Sequence, residues 1–173
     1  MIYTKIGQLK HMHDLNSSYY DQSLYTIHNR LFFRLFQVGN ALDRQCLKEL
    51  GISPVHWSVL GALSRPQIKC MGMSLSNLTE YLGISRQSLD GVLKRLERDA
   101  VVQRVAANHD KRAKNVALTP LGQQTWADLQ GRIFEFYSQA MEGFVFDDTI
   151  SLIHLLNTLN DGLKQIKIKD GAV

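Results

Sequence analysis

A mainly α-helical chain, interrupted once by a short basic β-hairpin, is what this 173-residue sequence predicts. Three observations carry that prediction. Apolar residues recur at 3–4 spacing through most of the chain, the period of a helix with one buried face. Two of the three prolines, Pro54 and Pro120, directly follow Ser53 and Thr119, which is the N-cap and N1 pairing that opens a helix. One polar segment, 108–115, separates two short alternating runs, 103–106 and 116–118, in the manner of a hairpin.

Composition narrows the class. With 45% hydrophobic and 21% charged residues the chain reads as globular, neither disordered nor membrane-spanning. No apolar run approaches the ~18 residues of a membrane span. The first twenty residues lack the apolar core and small-residue cleavage site of a signal peptide, so the expected location is the cytoplasm. Cys46 and Cys70 have neither disulfide nor metal spacing and are expected to be reduced. His11 and His13 flank Met12, but a metal site there would need further ligands. There is no Gly-rich phosphate loop, no His/Cys cluster at ligand spacing and no nucleophile in a G-x-S-x-G setting. No enzymatic activity and no cofactor are therefore expected.

Taken in order, residues 1–22 are polar and mixed, an extension expected to be partly ordered with a short helix. From Ser23 to about Leu50 the pattern is one long helix. Leu24, Ile27, Leu31, Leu35, Val38 and Leu42 form a stripe that Phe32, Phe33 and Phe36 broaden. A helix apolar over that much of its circumference must bury two faces, the second against another subunit or the terminal helices. Gly51 ends it. Ser53 and Pro54 open the next helix, which runs to about Ser64 and buries Trp57, Leu60 and Leu63. Residues 65–74 read as a connector.

Two short helices joined by a tight turn follow. Leu75, Leu78, Tyr81 and Leu82 give the first its apolar face, and Gly83 and Ile84 make the turn. Ser85 stands where an N-cap belongs. The second helix buries Leu89, Val92, Leu93 and Leu96. That leaves Ser85, Arg86, Gln87, Ser88, Gly91, Lys94, Arg95 and Arg98 able to reach solvent or a ligand. The hairpin comes next, its loop carrying Asp110, Lys111, Arg112 and Lys114. After it Thr119 and Pro120 start a long helix to about Phe144, residues 146–148 break it, and a last Leu/Ile-rich helix runs from Thr149 to about Lys167.

Helix, turn, helix and basic hairpin make a winged helix-turn-helix over 53–118, with the flanking helices at 23–50 and 120–168 left for dimerisation. Charge agrees with that reading. Residues 83–118 hold eight Lys/Arg against four acids, an excess equal to the net charge of +4 of the whole chain. Such a concentration suits double-stranded DNA, where phosphate neutralisation releases counterions and dominates affinity. Within the second helix, Arg86 and Gln87 are the natural base readers, Arg for guanine and Gln for adenine. Arg95 and Arg98 suit phosphates or pairing with Glu97 or Asp99.

The run from about 52 to 122 resembles the MarR family of transcriptional regulators. The matching stretches are GISPVHWSVLGAL, LSNLTEYLGISRQSLDGVLKRLERDAVVQRV, DKRAKNVAL and LTPLG, and the flanking helices fit the same layout. The resemblance implies an intertwined homodimer on a palindromic operator, with repression as the expected outcome. It also implies a wing in which Asp110 orients Arg112 into the minor groove. One departure is Gly91, where many relatives carry Arg.

The resemblance further implies an effector pocket between the first helices and the DNA-binding lobe. Tyr25, His28, Arg30, Arg34 and His56 are its candidate polar groups, with Phe32, Trp57 and Leu60 as apolar walls. That mixture suits a small aromatic carboxylate or phenol. Two alternatives stand beside this reading: a thiol-based redox sensor on the same scaffold acting through Cys46 or Cys70, and a winged-helix interaction module that does not bind DNA. The basic wing speaks against the second.

Overall fold

The structure is a computed structural model that describes residues 3–69, 71–106 and 114–168, with side chains from residue 21 onward. Its elements in chain order are α1 (Tyr3–Gln45), a five-residue π-helical segment (Cys46–Leu50), α2 (Pro54–Leu63), β1 (Met73–Ser74), α3 (Leu75–Leu82), α4 (Arg86–Arg98), β2 (Val102–Ala106), β3 (Lys114–Leu118), α5 (Pro120–Ala140) and α6 (Phe146–Lys164). The expected class, mainly α with a winged helix-turn-helix, is what forms. The chain divides into two compact units, 1–129 and 130–173.

In the first unit α1 begins at Tyr3, so the helix expected from Ser23 starts twenty residues earlier. Much of its apolar stripe is exposed among the described residues. Ile27, Phe33, Phe36 and Val38 are each 58% or more exposed, as the two-face argument requires of a helix awaiting a partner. Gly51 closes the π segment in the left-handed region, at φ 75°. Ser53 then caps α2, its hydroxyl accepting from the His56 N–H with Pro54 in the first turn.

The core of the winged domain joins α2, α3, α4 and the sheet. Val59, Leu60 and Leu63 meet Leu78, Leu89, Leu93 and Leu96, closed below by Val102, Val116 and Leu118. Val92 is only partly buried at its edge. Tyr81, expected inside, is 53% exposed and lies under the Arg65 guanidinium, 5.1 Å from ring centre. Its hydroxyl and its place near the end of α3 let the ring serve as a cation–π partner rather than as core.

The sheet has order β1-β3-β2, all antiparallel, so β3 is central and β2 lies at an edge. Met73 pairs with Val116 and Ser74 with Asn115, while Val102 to Ala106 pair in turn with Leu118 to Lys114. The connector thus contains a strand, β1, too short to leave a period in the sequence. At Gly72, with φ 67°, an added Cβ would stand 2.5 Å from the Val116 carbonyl oxygen. Only glycine fits where the connector crosses β3.

Thr119 ties the hairpin to α5. Its hydroxyl donates to the Ala100 carbonyl at 2.6 Å and accepts from the Gly122 N–H at 3.0 Å. In the second unit α5 ends at Ala140, four residues before the expected Phe144, with Gly143 left-handed in the turn. α6 starts at Phe146 rather than Thr149. Residues 146–148 begin that helix instead of breaking a longer one, and the Asp148 carboxylate accepts from the Val145 N–H at 3.3 Å. Ile150, Leu152, Ile153, Leu155, Leu156 and Leu163 of α6 are exposed in the single chain.

Candidate nucleic-acid interface

The α3–turn–α4 unit is shaped by its caps. Ser74 opens α3 by accepting from the Asn77 N–H at 3.1 Å. At the other end Gly83 donates to Glu80 O and Ile84 to Thr79 O, both at 3.3 Å, which folds the chain back toward α4. Ser85 then caps α4, accepting from the Ser88 N–H at 3.1 Å, and the two hydroxyls lie 2.9 Å apart. Leu89, Leu93 and Leu96 anchor one face of α4 in the core. The opposite face is fixed by that burial: Arg86, Gln87, Ser88, Gly91, Lys94, Arg95 and Arg98 are all exposed. Nothing lies within 4 Å of a Cβ built on Gly91, so its face of the helix is open.

The positive excess is not shared evenly among the basic residues. Lys94 pairs with Asp90 at 2.8 Å, Arg98 with Asp99 at 2.9 Å, and Arg104 of β2 with Glu97. The hydrogen bond from Lys94 holds the Asp90 carboxyl below its usual range, with Arg104 and Arg86 adding to the effect. The hydrogen bond from Arg98 does the same for Asp99, helped by Arg95 and His56. Three acids therefore offset three bases. The net charge falls to Arg86 and Arg95 on α4 and to Lys114 at the start of β3, together with Lys111 and Arg112, which like Asp110 lie outside the described residues.

The residues suggested for a small-molecule site fall into two groups. Tyr25, His28, Arg30 and Arg34 line α1 and are exposed, and Arg34 donates to Gln37 Oε1 at 2.9 Å. Phe32, suggested as a wall, is 46% exposed. His56 and Trp57 are half-buried in the first turn of α2. His56 Nδ1 lies 2.7 Å from Ser53 Oγ, whereas its Nε2 is buried with no hydrogen-bond partner among the described residues. Burial pushes the imidazole below its ordinary pKa, and the Arg95 guanidinium lowers it further against the opposing pull of Asp99. No local pattern signals that His56 stands near Arg95 and Asp99 of the recognition-type helix and its cap, because these residues are some forty positions apart.

Cys46 is poorly suited to sensing oxidants. It is fully buried, and burial together with the nearby Asp43 carboxylate pushes the thiol up, away from the reactive thiolate. Cys70 lies outside the described residues. Among the described residues no group of His, Cys, Asp and Glu could hold a metal ion, and no helix is long and apolar enough to cross a membrane.

Residues 50–113 match the sequence profile of the MarR family. The chain is 38% identical over 148 residues to the transcriptional activatory protein BadR of Rhodopseudomonas palustris, a match covering 83% of each chain. It is 29% identical over 133 residues to the homoprotocatechuate degradative operon repressor of Escherichia coli, covering 75% of this chain and 87% of that one. Among solved structures, a probable transcriptional regulator from Pseudomonas aeruginosa superposes with a TM-score of 0.67 at 21% identity, over 77% of this chain and 98% of that one, which establishes likeness of fold.

Proposed function

The chain belongs to the MarR family of DNA-binding transcriptional regulators, and from that premise we propose that it acts as a homodimer on a palindromic operator and is released by a small aromatic carboxylate or phenol. One observation carries the DNA-binding part. The N-terminal end of α4 presents Arg86 and Gln87 in the open, and the hairpin that follows α4 in the chain holds much of the excess positive charge. That end enters the major groove, with Ser85 and Ser88 holding the first turn in shape. Arg95, Lys94 and Arg98 then lie along the phosphates, the last two exchanging their carboxylate partners for the DNA backbone. Gly91 leaves room for close approach of the helix to the duplex.

The wing completes the grip. Arg112, oriented by Asp110, enters the minor groove, where a narrow A-tract groove concentrates negative potential. Lys111 and Lys114 neutralise adjacent phosphates.

The test of base readout is Gln87→Ala. It should relax preference at one position per half-site and cost roughly 1–3 kcal/mol there. Unchanged discrimination across a base-substitution series would remove Gln87 from the readout.

The effector reading rests on α1 and α2. His28, Arg30 and Arg34 supply cations or imidazole for a carboxylate, Tyr25 a phenol, and His56 and Trp57 the floor, once a second subunit covers α1. The relative named for homoprotocatechuate degradation supports this choice of ligand class, since that compound is a ring-hydroxylated aromatic carboxylate. The sign of regulation depends on where the operator lies, and one relative is named an activator and another a repressor. In this proposal the protein represses, and the effector relieves repression. Linkage requires operator DNA to weaken effector binding by the same factor as the effector weakens DNA binding. Calorimetry with and without the duplex checks it, and equal affinities would exclude the compound as inducer.

A further inference from the structure

We propose that Glu97 and Arg104 are positioning residues for DNA binding, their ion pair fixing the angle of the wing against the recognition helix; this rests on the DNA-binding reading above. Neither residue offers a contact of its own, since their charges cancel. What they offer is a join between two elements.

The sheet shows why a join is needed there. β3 is central and held from both sides, by β2 and by β1, with the Asn115 side chain also donating to the Met71 carbonyl at 2.9 Å. Among the described residues β2 is an edge strand, hydrogen-bonded on one side to β3. Its other side faces no ladder among them, so a side-chain tie to a neighbouring element adds a restraint on its tilt that pairing supplies to β3 from both sides. Arg104 sits mid-strand, paired in register with the fully buried Val116, and its Nε donates to Glu97 Oε1 in the last turns of α4. Only two residues later β2 ends at Ala106, which pairs with Lys114 of β3. A small rotation at Arg104 is therefore carried to the end of the β2–β3 ladder, from which the wing residues continue.

The other ion pairs of α4 differ in setting. Lys94 and Arg98 are 73% and 72% exposed and pair with neighbours on their own helix or its cap. Arg104 and Glu97 are 32% and 31% exposed and bridge two elements. Partial withdrawal from water reduces screening, and a guanidinium fork fixes direction as well as distance.

Simple electrostatics and the positioning role predict opposite results for one substitution. Glu97→Gln removes a negative charge near DNA and frees Arg104, which on charge alone tightens binding. If the pair positions the wing, the same change weakens binding. The probe is the duplex that the unaltered full-length protein selects from a random-sequence library, followed by salt-dependent affinity and hydroxyl-radical footprinting.

The expected result is a loss of about tenfold for Glu97→Gln, with protection lost in the flanking minor grooves and kept at the centres of the half-sites. Arg104→Lys keeps the charge but not the fork, and should show the same flank-selective loss. Thermal melting reports that each variant is folded. Equal or tighter binding by Glu97→Gln overturns the proposal, as does a loss spread evenly over centre and flanks. Should Glu97→Gln not fold, Arg104→Lys decides alone: wild-type flanks overturn the proposal. Failure of the unaltered protein to select any duplex is a separate result, which refutes DNA binding itself and this proposal with it.

Discussion

Two helices of the winged domain end in the same hydrogen-bond pattern with different residues at the decisive position. After α3, Gly83 takes the left-handed conformation at φ 64°. After α4 the Val101 N–H donates to Leu96 O at 2.8 Å and the Ala100 N–H to Glu97 O at 3.1 Å, with Ala100 left-handed at φ 56°. A Cβ makes that conformation costly, so Ala100→Gly should stabilise the domain by about 0.5–1 kcal/mol. Urea denaturation checks it: the midpoint rises at unchanged slope, and a lower midpoint means the Cβ is worth more than its strain. The sequence pointed to Gly83 because glycine is the usual residue there, and it hid Ala100 for the same reason. His56 gives a second residue-scale expectation. Its folded pKa lies below its unfolded value, so the unfolded chain binds more protons near pH 6. That contribution to stability is present above the ordinary histidine pKa of about 6.5 and is lost as pH falls through the folded value. His56→Gln should flatten the fall in melting temperature between pH 7.5 and 5; an identical pH profile would show that another group is responsible.

Elements were legible in the sequence where a cap, a long period or a short alternating run announced them, the last marking the hairpin strands β2 and β3. Ser53-Pro54, Ser85 and Thr119-Pro120 each marked a helix start correctly, because an N-cap acts through local geometry that two or three residues specify. β1 has two residues and pairs with a strand some forty positions away, so no local pattern could reveal it. The expected end of α5 was placed too late because aromatic residues up to Phe144 kept its apolar period alive past the real turn at Gly143. Tyr81 continued the stripe of α3 in the same way and proved exposed. Gly122 carries the prediction at this scale. A Cβ there would lie 2.0 Å from the Val101 carbonyl oxygen, where the start of α5 crosses the turn into β2. The blocking atom is backbone and cannot swing aside, so Gly122→Ala should destabilise by about 1–3 kcal/mol even though alanine is the better helix former. Gly91→Ala is the matched control, with open space around the new methyl and an expected gain of about 0.5–1 kcal/mol. Equal effects at the two sites would show that packing at Gly122 relaxes freely.

At the scale of the whole molecule the dominant feature is what the single chain leaves uncovered. α1 exposes Ile27, Phe33, Phe36 and Val38, and α6 exposes Ile150, Ile153, Leu155 and Leu163. Patches of that size on a monomer mark an interaction surface, and two-fold pairing is the common solution. Sedimentation at micromolar concentration should find only dimer. A stable folded monomer would count decisively against the pairing. Operator half-sites should then lie about one helical turn, ~10 bp, apart. The Asp-x-Arg pattern at residues 110–112 is plain in the sequence and lies outside the described residues. The uncovered face of α1 also bears on gene dosage. A newly made chain completes its fold only on meeting a second, so at low synthesis the DNA-competent pairs grow as the square of the amount made, and doubling expression raises them about fourfold by mass action. A promoter under such control would register a modest change in copy number as a sharp change in output.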